Sequence, residues 1–155
     1  MDASFRFIAI AVVGSLFVIA GCQPKEIATT VELDIAWVDD SRITNADSEP
    51  ENWLAHGRTW SEQRFSPLDQ INTSNIGELT LAWYTDLDTN RGQQATPIVV
   101  DGVLYSTSAW SKIQAVHART GQLLWQYDPE VPGIWDSRAC CGVQNRGVAV
   151  WKGNV

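Results

Sequence analysis

The sequence predicts an all-β chain built from the blades of a β-propeller. Three observations predict it. No long stretch shows the 3.6-residue apolar period of a helix, and short β-rich runs separated by turn residues recur instead. Leu81-Ala82-Trp83-Tyr84-Thr85-Asp86 also matches Leu123-Leu124-Trp125-Gln126-Tyr127-Asp128, with the two tryptophans 42 residues apart. A repeat of about 40–50 residues holding four strands is the period of a propeller blade. A small sandwich or meander with a chance tryptophan spacing is the alternative architecture.

The elements follow in order. Leu79–Thr85 is a strand, the outer one of a first blade. Ala95–Val100 and Val103–Thr107 flank Asp101-Gly102, a pair suited to a two-residue hairpin turn. Ile113–His117 is the third strand, and Leu123–Asp128 returns after the turn Arg119-Thr120-Gly121. Residues 95–128 therefore make one complete blade, and 148–155 begin the inner strand of the next. One blade cannot close a propeller, because each buries its faces against two neighbours. The chain is thus expected to be the N-terminal part, residues 51–155, of a longer, here truncated propeller.

The segments before residue 51 read differently. Arg6 precedes an apolar run from Phe7 to Ala20, too short for the roughly 20 residues that a membrane span needs but right for a secretory signal. Small residues Ala20 and Gly21 then lead to Cys22, whose thiol would take a diacylglycerol. Residues 1–21 are expected to be a lipoprotein signal peptide and Cys22 the lipidation site. Gln23 rather than Asp follows it, so no inner-membrane retention signal is present and the outer membrane is the expected destination. Polar residues 22–50 read as a lipidated tether.

Removing residues 1–21 takes away one acid and one base, Asp2 and Arg6, and leaves the net charge of −7 unchanged. An acidic chain without a basic run excludes a nucleic-acid partner. Two cysteines then remain, the neighbours Cys140 and Cys141. A disulfide between neighbours needs a strained ring and an oxidising compartment; two free thiols, or one pairing elsewhere, are the alternatives. Arg146, between small residues before an inner strand, can aim a planar fork at a carboxylate, although most arginines make surface ion pairs. Gln94 and Arg146 stand at corresponding entrances to inner strands of adjacent blades. Such strands line the axial channel, where propeller ligands sit.

Four strings in order carry a family resemblance: Trp53-Leu54-Ala55-His56-Gly57, Gln63–Asn72, Arg91-Gly92-x-x-Ala95-Thr96-Pro97 and Cys140-Cys141-x-x-x-Asn145-Arg146-Gly147. Together they resemble the quinoprotein alcohol dehydrogenases, which depend on pyrroloquinoline quinone (PQQ). Ala115–Trp125 resembles the tryptophan docking motif that joins blades in that family, with His117 where the motif has Asp. The resemblance implies an eight-bladed propeller, of which one complete blade and parts of two neighbours are present. It implies a cofactor site in which Cys140 and Cys141 form a vicinal disulfide lying flat on PQQ, Arg146 bonds its polar edge, and Gln94 replaces a usual glutamate.

The implied reaction is periplasmic oxidation of an alcohol or related hydroxy compound. An aspartate acts as base, Ca²⁺ or a lanthanide as Lewis acid, and electrons leave to a quinone or a cytochrome c. The catalytic aspartate and metal ligands of the family are expected beyond residue 155, so no catalytic or metal-binding residue is assigned here. A non-catalytic propeller lipoprotein, a scaffold of outer-membrane β-barrel assembly, is the alternative. It would have no reason to keep the cysteine pair or Asn145-Arg146-Gly147 beside an axial channel.

Overall fold

A computed structural model describes residues 36–138 and 140–155. The expected signal peptide, Cys22 and the expected tether up to residue 35 lie outside the described residues. Among the described residues no helix is long and apolar enough to cross a membrane.

The blade forms where it is expected. Strands β1 (Ile98–Val100), β2 (Val103–Thr107), β3 (Ile113–His117) and β4 (Leu123–Tyr127) make one antiparallel sheet in the order β1-β2-β3-β4. Asp101 and Gly102 both take positive φ, 52° and 78°, which gives the turn a twist that fits the flanking strands. Pairing of Ile98 with Tyr105 and of Val100 with Val103 puts these four side chains on one face. Ala115, opposite Tyr105 on β3, extends that face. All five are buried.

What covers this face corrects the sequence reading. The expected tether ends by Ala36, and residues 36–55 belong to the folded unit. Val38, Ile43, Ala46 and Leu54 pack with the five sheet residues and Val150 in one core. Polar neighbours hide this pattern in the sequence, because Ile43 and Ala46 are buried one turn apart between Arg42, Asn45 and Asp47. Helix α1 (Asp40–Thr44) is only five residues long and starts at Asp39, whose carboxylate accepts from the Arg42 N–H at 2.9 Å. Trp53 exchanges two backbone hydrogen bonds with Val99, 2.8 and 3.1 Å, and so caps the free edge of β1.

Arg42 fastens this segment to the blade. It donates to Glu49 at 2.7 Å, to the Trp37 carbonyl at 2.7 Å and to both carboxylate oxygens of Asp101 in the β1–β2 turn. Asp101, first, and Glu49 hold the guanidinium above its usual range. Asn52 completes the clasp, donating to Glu49 and accepting from the Asp101 N–H, both at 2.8 Å.

The flanking strands do not form ladders. Residues 79–86 carry no strand, and after 148 only a bridge between Trp151 and Asn154 is made, across the Lys152-Gly153 turn. A strand needs a backbone ladder, and these stretches make none: residues 79–86 have no backbone hydrogen bonds to another described segment, and beyond 148 only the Lys152 and Gly153 N–H groups donate to Val38 and Ala36, at 2.9 and 3.1 Å. Trp83 nevertheless docks as the motif implies. Its indole N–H donates to the Ala118 carbonyl at 2.9 Å, and its ring covers the turn so closely that a Cβ on Gly121 would lie 2.6 Å from it. Gly121 is required twice, because its φ is also +72°. Nearby, His117, standing where the docking motif has Asp, accepts from the Thr120 N–H at 3.3 Å.

Two carboxylates predict an acid sensitivity. The Arg42 N–H, chiefly, lowers Asp39 from the usual 3.8, and the Glu130 N–H followed by Lys112 does the same for Asp128. A carboxyl lowered on folding stabilises while ionised, and that contribution is lost as pH falls through the folded value. Asp39→Asn with Asp128→Asn keeps both acceptor oxygens but removes the titration. The denaturation midpoint of the double variant should therefore fall less steeply than wild type between about pH 5 and about pH 2. Equal slopes would disprove the assignment.

Candidate cofactor site

Three segments meet beside the start of β1. One is Asn90–Pro97, which enters the strand. The second is the turn Ser108–Lys112 between β2 and β3, and the third is the stretch from Asp136 to Gly147. Their contacts are specific. The Thr96 N–H donates to the Arg146 carbonyl at 3.1 Å, so the entrances to the two successive inner strands run side by side. Gly147 makes this possible: its φ is +132°, and a Cβ there would stand 3.0 Å from the Thr96 oxygen.

Asn145 ties the third segment to the blade. Its Oδ1 accepts from the Thr107 hydroxyl and from the Gly147 N–H, each at 2.9 Å, and its amide donates to the Ser111 hydroxyl at 3.3 Å. The turn it reaches is strained, with Trp110 and Ser111 at φ of 67° and 56°. Trp110 is held further by donating its N–H to the Val143 carbonyl at 2.8 Å. Across the mouth, Arg91 pairs with Asp136 at 2.9 Å, its guanidinium 5.8 Å from the centre of the Trp110 ring.

The residues expected to hold the cofactor lie on this frame. Arg146 and Gln94 are both exposed, and neither side chain has a hydrogen bond or ion pair among the described residues. Cys140 and Cys141 are exposed, with Cys141 at φ 70°. The expected disulfide is not formed in this structure: both thiols are free, their sulfurs 3.0 Å apart. Their shared peptide keeps the Cα atoms about 3.8 Å apart, short of the span that disulfides prefer, so a bond between them closes only as a strained ring. A cleft of about 610 Å³ bordered by Arg58, Trp60 and Phe65 holds none of these residues.

Comparison with known proteins decides the family. Residues 53–155 match the β-propeller domain of the glucose, ethanol and alcohol dehydrogenases that carries the name PQQ. The chain belongs to this quinoprotein dehydrogenase family. It is 61% identical over 113 residues to the dehydrogenase subunit of the alcohol dehydrogenase (quinone) of Komagataeibacter europaeus, a match covering 73% of this chain and 15% of that protein. The crystallised quinohemoprotein alcohol dehydrogenase ADHIIG of Pseudomonas putida HK5 superposes with a TM-score of 0.76 at 55% identity, over 78% of this chain and 18% of that one. A europium-containing methanol dehydrogenase superposes at 0.64 with 32% identity, over 71% of this chain and 20% of its own. The chain thus spans a fifth or less of the length of these dehydrogenases. The likeness to solved quinoprotein propellers establishes the blade as part of a β-propeller and excludes the small sandwich.

A quinone with three carboxylates fits the groups on this frame. It needs cationic and amide donors that are not already paired, and Arg146 and Gln94 supply one of each. Sequence reasoning missed the supporting parts: the Arg91–Asp136 pair, Trp110 and the role of Asn145. One signal was available. Asn two residues before Gly is the pattern of an Asx-turn, which is what Asn145 makes with the Gly147 N–H.

Asn145 therefore carries a stability prediction. Asn145→Leu removes its hydrogen bonds and strands the hydroxyl of Thr107, itself only 4% exposed. The loss should be about 1–3 kcal/mol, read from the shift in urea midpoint, and Asn145→Asp, which keeps the acceptor, should lose less. An unshifted midpoint for Asn145→Leu would remove Asn145 from this role.

Proposed function

We infer that the chain is the N-terminal part of a periplasmic, lipid-anchored quinoprotein that oxidises an alcohol with PQQ. One observation supports the reading: the Thr96–Arg146 hydrogen bond runs the entrances that carry Gln94 and Arg146 side by side, with Arg146 on the segment that also bears Cys140-Cys141. When bound, PQQ would take up the electrons of the substrate. The residues of this chain would bind and orient it. Arg146 would grip a carboxylate or carbonyl edge with its planar fork, and Gln94 would donate and accept where a glutamate could only accept. Cys140 and Cys141, closed into a ring in the oxidising periplasm, would offer a flat face.

The substrate base and the ligands of a Ca²⁺ or lanthanide ion would come from further blades. A name such as europium-containing methanol dehydrogenase supports the metal by analogy. Electrons would pass to a quinone or a cytochrome c, as the names quinone and quinohemoprotein among the relatives suggest. The scaffold alternative gives no account of unpaired polar side chains gathered at one mouth. Cys22 would hold the enzyme at the outer membrane, with residues 1–21 removed as the signal.

Two experiments on the full-length protein test this. Arg146→Ala should weaken PQQ binding, titrated in the presence of Ca²⁺, by about ten- to a hundredfold, because a charge-assisted hydrogen bond is lost. Arg146→Lys should recover only part, and Gln94→Glu should bind as tightly as wild type or tighter. Unchanged binding in Arg146→Ala, or none in wild type, sinks the cofactor assignment. Wild type should also label with palmitate and enter the detergent phase, and Cys22→Ala should do neither. Unlabelled wild type in the soluble periplasmic fraction would refute the anchor.

A further inference from the structure

Gln94 and the cysteine pair lie on two stretches that are tied to each other at both ends. At one end the Thr96 N–H donates to the Arg146 carbonyl. At the other the Arg91 guanidinium reaches both carboxylate oxygens of Asp136, at 3.4 and 2.9 Å. Residues 91–96 carry Gln94 between these ties, and residues 136–146 carry Cys140-Cys141 between the same two. The stretches are not held equally. The second has further anchors, since the Val143 carbonyl accepts from Trp110 and Asn145 bonds to Thr107 and Ser111. Residues 92–95 make no hydrogen bond to another segment among the described residues; the Gln93 amide turns back to the Arg91 carbonyl, at 3.1 Å. The place of Gln94 therefore depends on the two ends, and Arg91 is the end held by a side chain.

That side chain is set from two sides. Its guanidinium lies 5.8 Å from the centre of the Trp110 ring, and Trp110 is fixed by its N–H bond to Val143 and by a φ of 67°. Asp136 in turn lies against the turn after Cys141, where a Cβ on Gly142 would stand 3.4 Å from its Oδ1. Arg91 thus meets both other segments of the mouth. We propose that Arg91 is a positioning residue of the cofactor site: clamped by Asp136 and Trp110, it fixes the loop that presents Gln94 to PQQ. The inference rests on the PQQ reading above and adds a residue to it. Arg91 does not touch the cofactor, because its charge is taken up by Asp136. It acts through Gln94, and a loop already held in its bound form loses less freedom when the ligand arrives.

Equilibrium titration of the full-length protein with PQQ in the presence of Ca²⁺ tests this, with urea midpoints measured alongside. Arg91→Met keeps the length of the side chain but not its charge, and should weaken PQQ binding about three- to tenfold. Asp136→Ala should cost as much, and the double variant no more than either single one. In a Gln94→Ala background Arg91→Met should change affinity by less than about twofold, because the side chain it positions is gone. An exposed ion pair adds little to stability, so the urea midpoint should move by less than about 0.5 M in each variant. Wild-type affinity in Arg91→Met, a larger midpoint shift, or an equal loss in the Gln94→Ala background overturns the positioning role and leaves the PQQ reading standing. Tighter binding in Asp136→Ala, which frees Arg91 to reach the cofactor itself, overturns it too. Failure of wild type to bind PQQ overturns both.

Discussion

The hydrogen bond from the Thr96 N–H to the Arg146 carbonyl joins two stretches fifty residues apart, and the geometry of the site depends on it. It can form only because Gly147 presents no Cβ to the Thr96 oxygen. Once it is made, the chain that leaves the complete blade runs beside the chain that entered it. The entrances that carry Gln94 and Arg146 then run side by side, however far apart they are in sequence. Asn145 and the Arg91–Asp136 pair flank this bond and limit rotation about it. A single backbone contribution of this kind is worth only about 0.5–1.5 kcal/mol. Its importance lies in register, since shifting it by one residue would turn Arg146 to the opposite side.

Stability comes from a different place. The apolar face of β1–β3 is covered by Val38, Ile43, Ala46 and Leu54 from the N-terminal segment, and burying each larger side chain gives roughly 1.5–3 kcal/mol. Arg42 adds direction to this packing, because only one placement of α1 lets it meet Glu49 and Asp101 together. The other large apolar side chains are not covered. Leu79, Leu81, Tyr84, Leu123 and Tyr127 are all more than half exposed, on the outer strand and the stretch that docks against it. In a closed propeller the blade faces pack on their neighbours, so these residues mark surfaces that a single blade leaves open.

The difference between what was legible in the sequence and what was not has a physical origin. The four strands and the Asp101-Gly102 turn were legible because period-two burial and a positive-φ turn are both local. Gln94, Cys140, Cys141 and Arg146 stand as a group only through the family motifs, and the structure adds that the Gln94 and Arg146 entrances run side by side. Residues 36–50 were misread, because burial alternates there with charge and the helix is too short to show a period. The Arg91–Asp136 pair could not be read, because nothing local relates residues 45 positions apart.

This division bears on how such a site can change. Exposed, unpaired Gln94 and Arg146 add little to the stability of the blade, so their chemistry is free to be tuned to the cofactor contact proposed for them. The residues beneath them are not free in the same way. Asn145 satisfies three groups at once, Gly147 and Gly121 each combine positive φ with a close contact, and Trp110 is held in a strained turn by both Val143 and Arg91. Substituting any of these would move the frame before it altered a ligand contact. A frame that is held at Asn145 and Gly147 keeps the Arg146 entrance fixed, while Gln94 sits on an exposed stretch without regular structure. That asymmetry suits a pair of ligand contacts of which one carries a full charge and the other an amide.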